Sequence, residues 1–144
     1  MAGYSGTTLE KKLGFRNNFK VRIIHAPDNY FDLLPDLPET IEIIQDTRIK
    51  KNLIHYFTKD AGELYSLLPE LKNEIESNGM IWVSWPKKSS KMHTDITEDI
   101  IRGCALKIGL VDIKVCSVDE IWSGLKLVIP VKQRGDCYSP GKNI

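Results

Sequence analysis

The apolar positions of this chain fall into short strand-like runs separated by two longer stripes at helical spacing. Lys20–His25 (KVRIIH), Ile41–Gln45 (IEIIQ), Leu53–Phe57 (LIHYF) and Met80–Trp85 (MIWVSW) are β-rich. Val111, Ile113 and Val115 then alternate with Asp112, Lys114 and Cys116, and Leu125–Val131 is a second run of the same kind. Between these lie the helical stripes. Leu64, Leu67, Leu68, Leu71 and Ile75 share one face of a helix over Asp60 to Glu76, and Ile96, Ile100, Ile101, Cys104 and Ile108 share one face of another.

The polar residues supply the boundaries. Thr7 with Glu10 reads as a capping box for a short helix, Thr8 to Leu13, closed by Gly14. Tyr30–Leu34 makes one or two helical turns before Pro35 and Pro38. Thr58 or Asp60 caps the longer helix, Pro69 kinks or restarts it, and Asn78-Gly79 closes it with glycine in the left-handed conformation. Asp95 with Glu98 forms a second capping box, and Gly109 ends the helix that follows. The first strand is read as central in the sheet. Seven residues, Asp46 to Asn52, join the second and third strands. Fully extended they reach roughly 24 Å, enough to pass under one neighbouring strand; an antiparallel step is the alternative.

The resulting order predicts a three-layer α/β sheet, mostly parallel, with an antiparallel strand pair at its C-terminal end. Residues 1–131 make one domain and Lys132 onward (KQRGDCYSPGKNI) a polar, flexible tail. With 144 residues the chain can bury a core without disulfides or metals. A formal charge of +1 argues against nucleic acid as partner. No stretch approaches the ~20 apolar residues of a membrane span, and no apolar signal segment opens the chain, so a cytoplasmic protein is expected. Cys104, Cys116 and Cys137 show no metal-ligand spacing; the first two read as small buried hydrophobes.

Candidate chemistry gathers where such sheets place ligands, beyond the carboxyl ends of the strands. The ends supply His25 and Asp28 after the first strand, Thr58 and Asp60 after the third, and Trp85, Lys87, Lys88, Lys91, His93 and Thr94 after the fourth. The lysines and a helix start near Thr94 favour an anion. Trp82 and Trp85 face opposite sides of the sheet. Trp122 is placed in the turn before Ser123-Gly124, either as a recognition residue or packed under the turn. His93 is the best acid/base candidate, whereas His25 and His55 read as strand histidines. The serines lack the G-x-S-x-G elbow, and no Walker A, H-E-x-x-H or EF-hand pattern is present.

Four stretches carry a resemblance: GYSGTTLEKKLG at Gly3–Gly14, GMIWVSWPKKSS at Gly79–Ser90, TDITED at Thr94–Asp99 and VDIKVCSVDEIWSGLKLV at Val111–Val128. In them the chain resembles a bacterial family of small proteins known as a domain of unknown function, a likeness that carries over no activity and no catalytic residue. More distantly, the element order and terminal strand pair are similar to the Rossmann-like sheet of S-adenosylmethionine-dependent methyltransferases. There a glycine-rich turn follows the first strand and an acidic residue ends the second. Here His25-Ala26-Pro27-Asp28 stands in the first place, and Asp46 is the residue that could hold a ribose.

The reading is a Rossmann-like module without catalysis. It binds a protein partner or a small anionic ligand through residues 85–94 and the Trp122–Gly124 turn, with no cofactor identified and a homo-oligomer left open. A small methyltransferase-like enzyme using the same cleft is the rival.

Overall fold

Six strands form one mixed sheet in the computed structural model, which describes residues 7–134. A short helix α1 (Leu9–Leu13) leads into β1 (Lys20–Ile24); a 3-10 turn, Tyr30–Leu33, precedes the two-residue β2 (Glu42–Ile43). Then follow β3 (Lys51–Phe57), α2 (Ala61–Lys72), β4 (Ile75–Pro86), α3 (Glu98–Lys107), β5 (Val111–Ser117) and β6 (Trp122–Val128). The strand order is β2-β1-β3-β4-β6-β5. The first four strands of that order are parallel, and β6 runs antiparallel between β4 and β5.

β1 is an inner strand, but β3 and β4, not β1, lie at the middle of the sheet. The link after β2 crosses to the far side of β1 without a helix, so the parallel alternative holds. The chain therefore leaves β1 towards both sides of the sheet. That reversal opens a crevice between the carboxyl ends of β1 and β3.

Each face of the sheet buries its own cluster. α2 and α3 cover Ile54, Tyr56, Ile81, Val83, Trp85, Leu125 and Leu127. On the other face α1 and the segment after β1 pack Leu13, Phe15, Tyr30 and Leu34 over Val21, Leu53, Phe57, Trp82 and Trp122. Trp82 and Trp85 thus serve opposite layers, as their spacing requires. Trp82 is anchored twice, by burial and by its Nε1–H donating to the carbonyl of Leu13 at 2.7 Å.

Several boundaries differ from the sequence reading. Thr8, not Thr7, caps α1, and Glu10 is buried, accepting from the backbone N–H of Asp36 rather than closing a capping box. Gly14 takes the left-handed conformation as expected, at φ 93°. α2 ends at Lys72 and runs through Pro69 without a break, with Asp60 as its cap. Gly79 is not a helix stop but lies inside β4, at the irregularity where its pairing with β3 shifts. A Cβ there would sit 3.0 Å from two backbone oxygens, those of Glu76 and Lys51, so the glycine permits a close backbone approach. α3 is capped by Thr97; Asp95 instead accepts from the N–H of Ala61 at 2.8 Å and so caps α2 from a distant loop. Gly109 ends α3 at φ 87°. β6 starts three residues earlier than its apolar run, which moves Trp122 out of the turn and into the sheet. Val131–Gln133 forms a 3-10 turn at the start of the expected tail, and Cys137 lies outside the described residues.

At the amino ends of the strands the sheet holds a buried ion cluster. The Lys51 ammonium donates to Glu74 at 3.0 Å and to the carbonyl of Asp46 at 2.5 Å, and Arg22 donates to both Glu74 oxygens at 2.9 Å. One carboxylate thereby ties β1, β3 and the α2–β4 junction together. None of the described helices is long and apolar enough to cross a membrane.

Candidate functional site

The crevice at the carboxyl ends of β1 and β3 is a cleft of about 360 Å³ lined by His25, Pro27, Thr58, Lys59, Glu63 and Trp122, among others. Two neighbouring clefts continue it. Lys59 and Asp60 also border one with Met92, His93 and Asp95, and Met92 borders the next with Trp85, Lys87, Lys88, Thr94 and Glu98. Together they form a trough along the strand ends.

His25 sits at its head with φ 57°, a left-handed conformation that costs a non-glycine residue energy and marks a place held by its surroundings. Its Nδ1 lies 3.7 Å from Glu63, and its ring tilts against Tyr56. Glu63 is half-buried and accepts from the hydroxyls of Tyr56 and Thr58, both at 2.8 Å. Burial, with the Glu63 carboxylate adding to it, pushes the Tyr56 phenol well above its ordinary value, so it stays a donor. Sequence reading passed over Tyr56 and Glu63. The signal was present in the Asp60-x-x-Glu63 spacing, which looks like a capping box, but here the glutamate reaches the strand end instead.

The sequence candidates are brought together only in part. His93 and Thr94 border the trough; Thr94 donates to the carbonyl of Lys59 at 2.7 Å, pinning the loop after β4 over the start of α2. Lys88 lines it and Lys91 is exposed beside it at φ 60°. Lys87 also borders it, but its Nζ is directed to Ser117, donating at 2.7 Å. Asp28 is exposed and lines none of these three clefts. Trp85 is a core residue of the α2–α3 face that shows one edge to the trough.

Trp122 lies in β6 rather than in the turn, and of the two accounts given for it the packed one fits, although it also lines the cleft. It is 8% exposed and stands edge-on to Phe57 with ring centres 5.1 Å apart, so it belongs to the core beneath the trough. Trp122→Ala is therefore expected to cost about 3 kcal/mol of folding stability. Urea titration checks it, and a loss under about 1 kcal/mol would make Trp122 a surface residue.

Of the potential nucleophiles and bases elsewhere, His55 and Cys104 are buried, whereas Cys116, expected to be buried, is only partly so. His55 is wholly buried between Tyr30 and Ser84, with both ring nitrogens 2.8 Å from a hydroxyl, and desolvation pushes it down to about 3. Burial raises the thiols of Cys104 and Cys116 above their ordinary value. Among the described residues no group of three or more His, Cys, Asp or Glu could hold a metal ion.

Residues 38–131 match the family model described as a protein of unknown function (DUF3052). The chain belongs to that family. None of the curated proteins matches it. Solved structures similar to this DUF3052 chain include methyltransferases. A candidate type 11 methyltransferase from Sulfolobus solfataricus has a TM-score of 0.60 at 13% identity, covering 90% of this chain and 94% of that one. The O-methyltransferase NcsB1 from neocarzinostatin biosynthesis, in complex with S-adenosylmethionine and 2-hydroxy-5-methyl naphthoic acid, also has 0.60, at 10% identity over 90% of this chain and 53% of that one. Magnesium protoporphyrin IX methyltransferase from Synechocystis PCC 6803, with bound S-adenosylmethionine, has 0.54 at 9% identity, covering 83% and 74%. At these identities the likeness is one of fold.

Proposed function

We propose that this DUF3052 protein is a non-catalytic Rossmann-like module that binds a small anionic ligand in the strand-end trough. One observation carries the reading: the lysines of the trough have no ion-pair partner among the described residues, while its carboxylates accept hydrogen bonds within the chain. Asp60 accepts from the N–H of Gly62, Asp95 from that of Ala61, and Glu63 from two hydroxyls. Lys59, Lys88 and Lys91 have no carboxylate within 4 Å among the described residues.

The rival is a methyltransferase-like enzyme, favoured by the fold of the neighbours that carry S-adenosylmethionine. The residues present do not fit that cofactor. Where a glycine-rich turn would approach it, His25 and Pro27 occupy the space, and Pro27 has no N–H to offer. The acid that could hold a ribose, Asp46, is taken by Arg48, which donates to both its oxygens at 3.0 Å and holds its carboxyl below the ordinary range.

The test has two arms. Inorganic phosphate at fixed ionic strength is expected to raise the melting temperature of the wild-type chain more than that of Lys59→Ala/Lys88→Ala, the variant correcting for the general stabilisation by excluded salts. Calorimetry with S-adenosylmethionine is expected to give no heat at micromolar concentrations. Equal phosphate increments in the two proteins would remove the anion site, and saturable cofactor binding lost on Asp46→Ala would establish the rival.

A further inference from the structure

We propose that β5 is a strand-addition site for an extended acidic segment of another protein, one with carboxylates at alternate positions facing Lys114 and Lys126. β5 is the edge of the sheet, seven residues long, and pairs only with β6. The pairing with β6 shifts between Asp112 and Lys114, so the regular edge that presents backbone donors and acceptors to an extended chain runs from Lys114 to Ser117. The central β5 residues Ile113, Lys114 and Val115 are all exposed, the two apolar ones at 53% and 47%.

Charge selects the partner. Lys114 stands directly opposite Lys126 in the β5–β6 register, an arrangement that destabilises a sheet when nothing lies between the charges. Lys126 in turn neighbours Trp82 of β4. Trp82 is bonded to Leu13, so α1 brings Lys12 and Arg16 to the same side. At the end of β5, Lys87 reaches Ser117. None of these five cations has a carboxylate within 4 Å among the described residues. The ammonium of Lys126 is held below its ordinary value by desolvation, and then by Lys114, Arg134 and Arg16.

Of the acids on β5 and its turn, Glu120 stands exposed beyond the strand end and the other two are occupied. Asp112 faces α3 and pairs with Arg102 at 3.0 Å, while Asp119 accepts from the N–H groups of Ile121 and Trp122. Residues 1–6 and 135–144 together contain one side-chain carboxylate, Asp136.

A single edge lysine deters unwanted pairing. That role does not call for a second lysine on the inner neighbour, nor for exposed isoleucine and valine beside the first. A second copy of this chain is a poor occupant, because edge-to-edge pairing would add the partner's lysines to an already cationic face. A nucleic-acid backbone would use the lysines and leave Ile113 and Val115 unused. An acidic strand uses all three features: backbone, charge and apolar side chains.

The experiment selects random peptides of about ten residues against the whole chain and compares binding to Lys114→Glu/Lys126→Glu, followed by hydrogen exchange of the complex. The variant's melting is measured first, with Lys114→Gln/Lys126→Gln substituted if the reversal unfolds the chain. Selected peptides are expected to carry Asp or Glu at alternate positions. They should bind the variant at least about tenfold more weakly and slow exchange at β5 amides. Peptides without the alternation, equal binding to the variant, or protection that leaves β5 unchanged would each overturn the proposal. So would a single-stranded oligonucleotide that binds the chain more tightly than the selected peptides and displaces them.

Discussion

Glu74→Ala is expected to remove about 3–5 kcal/mol of folding stability, because it leaves two cations at the amino end of the sheet without their counter-ion. The Lys51 side chain is fully buried and that of Glu74 is 7% exposed, so water cannot take over the missing interaction. Attraction within the cluster does not by itself make it a net gain over apolar packing, since the charges were desolvated to form it. The two statements separate experimentally. Lys51→Met/Glu74→Met removes both members of the deepest pair, leaving Arg22 at 18% exposure and able to turn towards solvent. The double variant should recover a large part of what Glu74→Ala loses. Urea titrations of the three proteins decide it. A cost below about 1 kcal/mol for Glu74→Ala would mean that water enters the cluster freely.

Stability is also expected to fall as the solution is acidified below pH 6.5, with His55 contributing one proton to the slope. In the folded chain its pKa is pushed down to about 3 by desolvation. In the unfolded chain it returns to about 6.5. Between those values the unfolded state binds a proton that the folded state refuses, so acid favours unfolding. The contribution of neutral His55 is complete above pH 6.5, and it is lost at up to about 1.4 kcal/mol per pH unit towards pH 3. The neutral ring, with one N–H and one bare nitrogen, satisfies both Tyr30 and Ser84. The charged ring would have no carboxylate to meet it. His55→Gln keeps a donor and an acceptor but does not titrate. The difference in stability between wild type and His55→Gln should therefore shrink from pH 6.5 to pH 4, and parallel curves would show that His55 is not sealed.

Polar residues account for most of the distance between sequence and structure. Apolar periodicity located every strand and both long helices, because a buried face must repeat at the period of its own backbone. It also placed Trp82 and Trp85 in opposite layers, but it left open the direction of the short link between β2 and β3, which the pairing of both strands with β1 decided. Capping patterns were less dependable, since Asp, Glu and Thr side chains bond whichever donor the fold brings near. Asp95 stands where a cap for α3 is expected, yet it caps α2, thirty-four residues earlier in the chain. Glu10 and Glu63 both complete a capping-box spacing, and each answers a group outside its helix.

The candidate site divides in the same way. Its position, beyond the carboxyl ends of the strands, follows from element order alone, and His25, His93, Thr94 and Lys88 were legible as its residues. The pairing of His25 with Glu63, the diversion of Lys87 to Ser117 and the burial of Trp122 against Phe57 were not, because each joins residues distant in sequence or belonging to different elements. The cationic face around Lys114 and Lys126 is the clearest instance. A net charge of +1 averages over the whole chain and conceals it. Five cations from α1, β5, β6 and the segments beside them meet only when the strands pair, while the carboxylates that balance them in the total are held by other elements. Sequence by itself determined which stretches form strands and helices and the order in which they follow one another along the chain. The tertiary structure alone decided which polar groups satisfy one another and which charges remain free, because hydrogen bonds and ion pairs depend on distances in space that no period along the chain encodes.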